Sequence, residues 1–104
     1  MKKIVNGLVY NTETAKEIVS WSNNLSGGDF NHCRESLYRT KNGRWFLCGS
    51  GGPMSKYSVS CGSNSCCGGS DIEVITEVEA QEWLENKDEI AALEQYFIAK
   101  LQEA

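Results

Sequence analysis

The feature that most constrains the fold is the dipeptide Asn42-Gly43, which lies between two runs rich in β-forming residues. Asparagine and glycine accept the positive φ angles that a two-residue type I′ turn requires. The stretch from Leu37 to Gly49 therefore predicts a β-hairpin, and we expect the rest of the chain to be organised around it.

A two-residue loop also fixes which side chains face each other across the hairpin. The expected pairs are Lys41 with Arg44, Thr40 with Trp45, Arg39 with Phe46, Tyr38 with Leu47, and Leu37 with Cys48. Side chains alternate between the two faces of a strand. One face would then carry Tyr38, Thr40, Trp45 and Leu47, which we interpret as the core face, and the other would carry Leu37, Arg39, Phe46 and Cys48.

The segments before this hairpin predict further strands. Asn6-Gly7 lies between apolar pairs, so a short opening hairpin is expected from Lys3 to Tyr10. Residues 15–21 give conflicting signals: Thr14 and Glu17 have the spacing of a helix capping box, whereas the β-branched and aromatic run that follows favours a strand. We predict a strand there, followed by a surface loop over residues 22–29.

The second half of the chain predicts a long loop, a strand and two helices. Glycine and serine dominate residues 49–70, which we expect to form mostly an ordered loop, and Ile72 to Ile75 has the composition of a strand. Thr76 and Glu79 form a capping box that opens a helix through about Asn86. Asp88 is expected to cap a last helix with apolar residues at helical spacing as far as Leu101.

These elements predict one α+β domain over residues 1–104. Its antiparallel, mostly meander sheet would have four or five strands, with the two C-terminal helices packed on one face. The residues expected to be buried together are Tyr38, Trp45, Leu47, Trp83, Leu84, Leu93 and Phe97.

Composition favours a cytoplasmic protein. No apolar run approaches the roughly 20 residues that span a bilayer, and the first residues lead into polar turn residues rather than a signal peptide. In a reducing compartment the five cysteines are expected to be thiols or metal ligands rather than disulfides.

The cysteines and the single histidine raise two alternatives to a simple binding protein. The potential zinc ligands are His32, Cys33, Cys48, Cys61, Cys66 and Cys67. Their spacing lacks a Cys-x-x-Cys pair, so we predict no metal site and no cofactor, and a small zinc or redox-responsive protein is the alternative function. A cysteine nucleophile would need His32 as its base, and we predict no enzyme activity.

Charge is distributed unevenly along the chain. Residues 1–70 carry a net charge of +4, and residues 71–104 carry −8. The basic end includes Arg34, Arg39, Lys41 and Arg44 near Tyr38 and Phe46, a combination that can hold phosphates and stack a base. The acidic helices include Glu82, Glu85, Glu89 and Glu94, which could imitate nucleic-acid phosphates.

The stretch from Leu37 to Leu47, the run Gly51-Gly52-Pro53-Met54-Ser55-Lys56-Tyr57 and the run from Tyr10 to Ala15 resemble a family of small proteins. That family is encoded on phages, plasmids and conjugative elements of Gram-positive gut bacteria, and the similarity spans about residues 3 to 85. Small acidic proteins from this setting include anti-CRISPR proteins that inhibit Cas9. The cysteine cluster is not a feature of the family.

The resemblance implies a non-enzymatic inhibitor that binds a host nucleoprotein effector, namely a CRISPR-Cas complex of the Cas9 type or its guide RNA, without a membrane partner. The charge distribution, rather than the resemblance, supplies the expected contact residues, which are Tyr38, Arg39, Lys41, Arg44 and Phe46 on the hairpin, or Glu82, Glu85 and Glu89 on the helices. We favour the basic hairpin because aromatic residues alternate with its cations. A homodimer that joins the basic hairpin of one copy to the acidic helices of the other is a further alternative.

Overall fold

The computed structural model describes residues 1–25, 29–62 and 65–104. The strands are β1 (Lys2–Val5), β2 (Leu8–Asn11), β3 (Lys16–Ser22), β4 (Cys33–Arg39), β5 (Trp45–Gly51), β6 (Val59–Gly62), β7 (Ser65–Cys67) and β8 (Gly69–Ile75). Two helices follow, α1 (Glu77–Asn86) and α2 (Ile90–Tyr96), and then a 3₁₀ turn over Ile98–Lys100. Parts of the predicted loops, residues 26–28 and 63–64, lie outside the described residues.

The centre of the molecule is an antiparallel sheet in the order β3-β4-β5-β8. The hairpin β6–β7 is inserted between the last two strands of this meander, and β1–β2 forms a separate hairpin. This arrangement confirms the predicted α+β class with two C-terminal helices.

The sheet is covered on both faces, so the core has two parts. The larger cluster joins the sheet to the helices and contains Leu37, Trp45, Leu47, Ile75, Ala80, Trp83, Leu84, Ala92, Leu93 and Phe97. The smaller cluster joins the opposite face to the opening hairpin and contains Tyr10, Phe46 and Ile72. The sheet therefore lies between two layers, the helices on one face and the opening hairpin on the other.

The central hairpin forms as predicted, but its register differs by one residue. Arg39 lies opposite Trp45, and the Gly43 amide donates to the Thr40 carbonyl at 2.9 Å. Gly43 has a φ of 83°, in the left-handed region that suits glycine. The Thr40 amide also donates to the Arg44 carbonyl at 2.8 Å, so the loop between this last pair has three residues with a glycine bulge, and the predicted two-residue turn is wrong.

A shift of one residue moves every side chain of one strand to the other face. Tyr38 consequently lies opposite Phe46, on the face covered by β1–β2, and Leu37 lies opposite Leu47 on the helix face. The prediction that Tyr38 is buried with Trp45 and Leu47 is wrong, as is the prediction that Leu37 shares a face with Phe46. The other six residues of the predicted core are confirmed.

The opening hairpin and the disputed segment are both strands. Asn6 and Gly7 have φ values of 52° and 79°, as a type I′ turn requires, so that hairpin is confirmed. Lys16–Ser22 forms β3, which confirms the choice of strand over helix. The β-branched residues of this segment pack well on the surface of a sheet, and pairing with β4 places them there.

The segment 49–70 is not mostly a loop. Residues up to Gly51 continue β5, Val59–Gly62 and Ser65–Cys67 pair with each other, and β8 already begins at Gly69. The small residues are tolerated because neighbouring chain lies against them. A Cβ on Gly49, for example, would collide with the Tyr57 ring.

The capping box of α1 is confirmed: the Glu79 amide donates to Thr76 Oγ1 at 3.1 Å, and the Thr76 amide donates to Glu79 Oε1 at 3.0 Å. The predicted cap at Asp88 is wrong. Asp88 has a φ of 55° and ends α1 instead, because the Glu89 amide donates back to the Leu84 carbonyl at 3.0 Å. Helix α2 ends at Tyr96, short of the predicted Leu101.

Candidate functional site

A concave groove of about 400 Å³ lies beside the turn of the central hairpin, where β3, β4 and the end of α2 meet. We call it the basic groove and define it by its lining residues, Thr14, Ala15, Lys16, Ile18, Arg39, Thr40, Lys41 and Tyr96. Its lining holds three cationic side chains and, within the described part of the chain, no carboxylate, histidine or cysteine.

The register of the sheet positions the cations. Lys16 lies directly opposite Arg39, and Arg39 lies directly opposite Trp45, so the three form one row across the helix face. Trp45 is buried beneath α2, whose last residue, Tyr96, contacts it edge to face with ring centroids 5.7 Å apart. The same packing that buries Trp45 therefore brings Tyr96 to the groove.

The aromatic rings hold the charged groups of the basic groove in place. The Arg39 guanidinium lies 5.2 Å from the centroid of Trp45 and 5.5 Å from that of Tyr96. Lys16 Nζ lies 5.9 Å from the same Tyr96 centroid. Cations within about 6 Å of a ring face are attracted by its quadrupole, so Arg39 is held in position by its contacts with two aromatic residues.

The charges of the basic groove are not neutralised by acids. Among the described residues, the ion pairs involve Lys3, Lys56 and Lys100, and none involves Lys16, Arg39 or Lys41. Like charges directly opposite on neighbouring strands are destabilising. An anion bound between Lys16 and Arg39 would relieve that repulsion.

Two of the predicted hairpin contact residues lie in the basic groove, and three lie elsewhere. Arg39 and Lys41 line it, whereas Arg44 is exposed but outside the lining. Phe46 is fully buried and stacks on Tyr38 on the opposite face, with centroids 5.1 Å apart. The two-residue turn predicted that Phe46 shares a face with Arg39, and this is wrong because Arg39 lies with Trp45 on the helix face.

Lys16 and Tyr96 were not among the site residues predicted from the sequence. Both belong to segments whose place relative to the hairpin depends on long-range packing: Lys16 on the pairing of β3 with β4, and Tyr96 on the docking of α2. The aromatic member of the basic groove thus comes from the acidic C-terminal part of the chain, where the composition gave no reason to expect it.

The predicted acidic contact residues lie in different surroundings. Glu82 and Glu85 are exposed on α1, and Glu82 borders a hollow beside Lys56 and Trp83. Glu89 is half-buried and borders a different hollow, between β3 and α2, which also reaches Lys16. Acidic groups thus flank the basic groove on its β3–α2 side.

A second polar cluster surrounds Glu35, which is only 4% exposed. Its carboxylate accepts hydrogen bonds from the Tyr57 hydroxyl at 2.5 Å, from Lys56 Nζ at 2.9 Å and from Trp83 Nε1 at 3.2 Å. Because Tyr57 and Lys56 come from the segment after β5 and Trp83 comes from α1, this carboxylate joins that segment and the helix to the sheet.

These contacts shift the pKa values of Glu35 and Tyr57. Burial acts to raise the pKa of Glu35, but the hydrogen bonds from Tyr57, Lys56 and Trp83 outweigh it and hold that pKa below its ordinary value. Burial, together with the hydrogen bond to Glu35, raises the pKa of Tyr57. Every donor to Glu35 is therefore in its protonated form near neutral pH, and the cluster is a structural anchor of the segment.

The cysteines do not gather into a metal site. Within the described ranges no group of three or more potential ligands of the histidine, cysteine and carboxylate type is close enough to hold an ion. Cys61 and Cys67 form a disulfide that crosses β6–β7, so the expectation that all five cysteines are thiols or metal ligands is wrong for these two. Burial raises the pKa of the free thiols Cys33 and Cys48, which disfavours the thiolate.

No helix in the described part of the chain is long and apolar enough to cross a membrane. Comparison of the chain with models of protein families, with curated proteins and with solved structures finds no match.

Proposed function

We propose that the protein is a non-enzymatic inhibitor that acts in the host bacterial cytoplasm and binds the nucleic acid of a nucleoprotein effector through the basic groove. The effector suggested by the resemblance of residues 3–85 to proteins of mobile genetic elements is a Cas9-type CRISPR complex with its guide RNA. The observation that carries the proposal is the unneutralised pair of Lys16 and Arg39, opposite each other on neighbouring strands.

The position of the Arg39 guanidinium supports binding of a phosphate. Its guanidinium already lies over Trp45 and Tyr96, so little side-chain freedom remains to be lost when it donates hydrogen bonds to a ligand. A guanidinium can donate two parallel hydrogen bonds to phosphate oxygens, which is why arginine is common at such sites. Preorganisation of this kind favours an anion contact over a merely solvated charge.

The charges around the basic groove limit how the partner approaches. Residues 71–104 carry a net charge of −8, and Glu89 borders the hollow next to Lys16. A polyanion is therefore attracted to the hairpin end of the molecule and repelled from the helices. Imitation of nucleic acid by Glu82, Glu85 and Glu89 has less support, since Glu82 and Glu89 border different hollows and Glu85 borders neither of them.

The experiment is a DNA-cleavage assay with purified Cas9-type effector, to which the protein is added before or after the guide RNA. Lys41→Glu is the cleanest change because Lys41 is exposed at the hairpin turn and has no ion-pair partner among the described residues. We expect this variant and Lys16→Glu to lose inhibition. Lys2→Glu makes the same charge change on the exposed first strand and should inhibit like the parent.

Salt dependence gives an independent measure of the same contact. The logarithm of the affinity should fall by about 0.7 to 0.9 per unit of log salt for each phosphate neutralised, and the slope should decrease by about one such step in Lys41→Glu. If Lys16→Glu and Lys41→Glu inhibit like the parent while reversal of Glu82, Glu85 and Glu89 abolishes inhibition, the basic groove is not the contact surface and the acidic helices are.

The Cys61–Cys67 disulfide favours a second candidate, a redox-responsive protein. The strands β6 and β7 have four and three residues, and none of these is fully buried. A two-stranded hairpin of this kind is marginal without support. In a reducing cytoplasm, two molecules of a low-molecular-weight thiol would reduce the bond to two cysteine thiols and leave as their own disulfide.

The two candidates are separated by comparing inhibition by the oxidised protein and by a Cys61→Ser/Cys67→Ser variant. Cys66→Ser is the control, because Cys66 is exposed in the same hairpin but is a free thiol. A redox-responsive protein would inhibit only in one state of the disulfide. Equal inhibition by the oxidised protein, the double variant and the control would exclude this candidate and leave the basic groove as the working surface.

A further inference from the structure

We infer that the basic groove takes one unpaired nucleotide, with its phosphate among the cations and its base against the apolar wall. This inference rests on the proposed function and makes it more specific, since it distinguishes single-stranded from duplex nucleic acid. It follows from the shape of the basic groove, the composition of its lining and the charges that border it.

The shape favours a small ligand. The basic groove is a hollow of about 400 Å³, within the usual size range of small-molecule pockets. Double-stranded RNA, by contrast, is recognised along an extended surface that contacts two successive minor grooves. A single concave site beside one hairpin turn does not offer such a surface, whereas one nucleotide that is free of a complementary strand can enter it.

The lining provides for both parts of a nucleotide. Lys16, Arg39 and Lys41 supply the positive charge, and the side chains of Ala15 and Ile18 supply apolar wall. Ile18 is the extra residue where the pairing of β3 with β4 shifts between Glu17 and Val19, a bulge that changes the local direction of the strand. A lining that combines cations with apolar side chains suits a nucleotide, whose phosphate is charged and whose base has apolar faces, better than it suits a bare phosphate.

Negative charge beside the basic groove restricts the length of nucleic-acid backbone that can bind there. Beyond Lys16, the neighbouring hollow is bordered by Glu89 at the start of α2. A rigid duplex laid across the cations would bring its next phosphates towards this carboxylate, where they would be repelled. A flexible single strand can place one nucleotide in the basic groove and turn away.

The test measures the binding of a fluorescently labelled single-stranded RNA of about 12 nucleotides, of the same RNA paired with its complement, and of competing adenosine monophosphate and inorganic phosphate. We expect the single strand to bind about tenfold or more tightly than the duplex, and the nucleotide to compete better than phosphate. Thr14→Trp should fill part of the basic groove without altering its charge and should weaken single-strand binding by about tenfold.

Glu13→Trp is the control for added bulk, because Glu13 is the exposed neighbour of Thr14 and lies outside the lining, although this change also removes one negative charge. It should leave single-strand binding at or slightly above the parent level. Thermal unfolding of both variants checks that the fold is retained, and if Thr14→Trp unfolds, Thr14→Phe replaces it.

Equal binding of single strand and duplex, with both weakened by Lys41→Glu, would overturn the single-nucleotide inference and leave the proposed function intact. The inference would also be overturned if Thr14→Trp bound the single strand as tightly as the parent. If the parent bound none of the RNA probes yet still inhibited the effector, both the inference and the role of the basic groove in the proposed function would be wrong.

Discussion

Replacement of Glu35 by alanine is the most informative test of how the fold is held together. Glu35 is 4% exposed and accepts hydrogen bonds from Tyr57, Lys56 and Trp83. Alanine would leave the Tyr57 hydroxyl and the Trp83 indole N–H buried without an acceptor, whereas Lys56 is more than half exposed and can turn to water.

The expected loss can be worked out from these contacts. Each buried donor left without a partner costs about 1 to 3 kcal/mol, and the exposed Lys56 adds little because an exposed ion pair contributes about 0 to 1 kcal/mol. For the two buried donors we therefore expect Glu35→Ala to lower the free energy of unfolding by about 2 to 6 kcal/mol, against a total of about 5 to 15 kcal/mol for a domain of this kind. Glu35→Gln keeps one acceptor oxygen and should lose less.

The assay is urea unfolding followed by tryptophan fluorescence, with Glu73→Ala as the control. Glu73 also faces Lys56, at 3.7 Å, but its side chain is about half exposed. Exposed ion pairs contribute about 0 to 1 kcal/mol, so the control should lie close to the parent. A loss below about 1 kcal/mol in Glu35→Ala, equal to that of Glu73→Ala, would refute the view that Glu35 anchors the segment after β5.

Three further outcomes follow from the same geometry. Because the pKa of Glu35 is lowered in the folded state, its stabilising contribution is present above the ordinary glutamate pKa of about 4.3 and is lost as the pH falls through the folded value. The urea midpoint of the parent should therefore fall more steeply in acid than that of Glu35→Gln, and parallel curves would contradict this. Gly49→Ala should prevent stable folding, measured by thermal unfolding, since its Cβ would collide with the Tyr57 ring, and a melting temperature near the parent's would exclude the clash. Trp45→Ala should cost about 3 to 5 kcal/mol in urea unfolding, because Trp45 is 4% exposed and stacks on Phe97, and a variant that melts cooperatively within a few degrees of the parent would contradict its central place.

The central hairpin illustrates how far local signals reach. Asn42 and Gly43 correctly predict that the chain reverses, because turn preference depends on the φ angles that these residues accept. They do not distinguish a two-residue loop from a three-residue loop with a glycine bulge, and Gly43 is suitable in both. The choice decides whether Tyr38 or Leu37 faces the helices, and burial of Leu37 with Leu47 under the helices favours the observed register.

For the segment 49–70 the composition was misleading in another way, because its many glycines and serines predicted mostly a loop where strands are found. Gly49 and Gly51 belong to a strand because they pair with β4 and β8, and glycine suits both positions because a Cβ would collide with Tyr57 or Ser55. Likewise, no spacing rule identifies Cys61 and Cys67 as partners among five cysteines. Their pairing depends on the β6–β7 hairpin, which brings the two α-carbons to 5.8 Å.

The sequence by itself determined the elements whose signals are local: the two reversals at Asn6-Gly7 and Asn42-Gly43, the capping box of α1 and the α+β class. It also placed Arg39 and Lys41 at one end of the molecule. Only the tertiary structure decided the register of the sheet, the position of Glu35 among three donors and the meeting of Lys16, Arg39 and Tyr96 in one groove. The physical reason is that these features join distant segments, so they depend on which apolar surfaces pack together rather than on the preferences of any one stretch of chain.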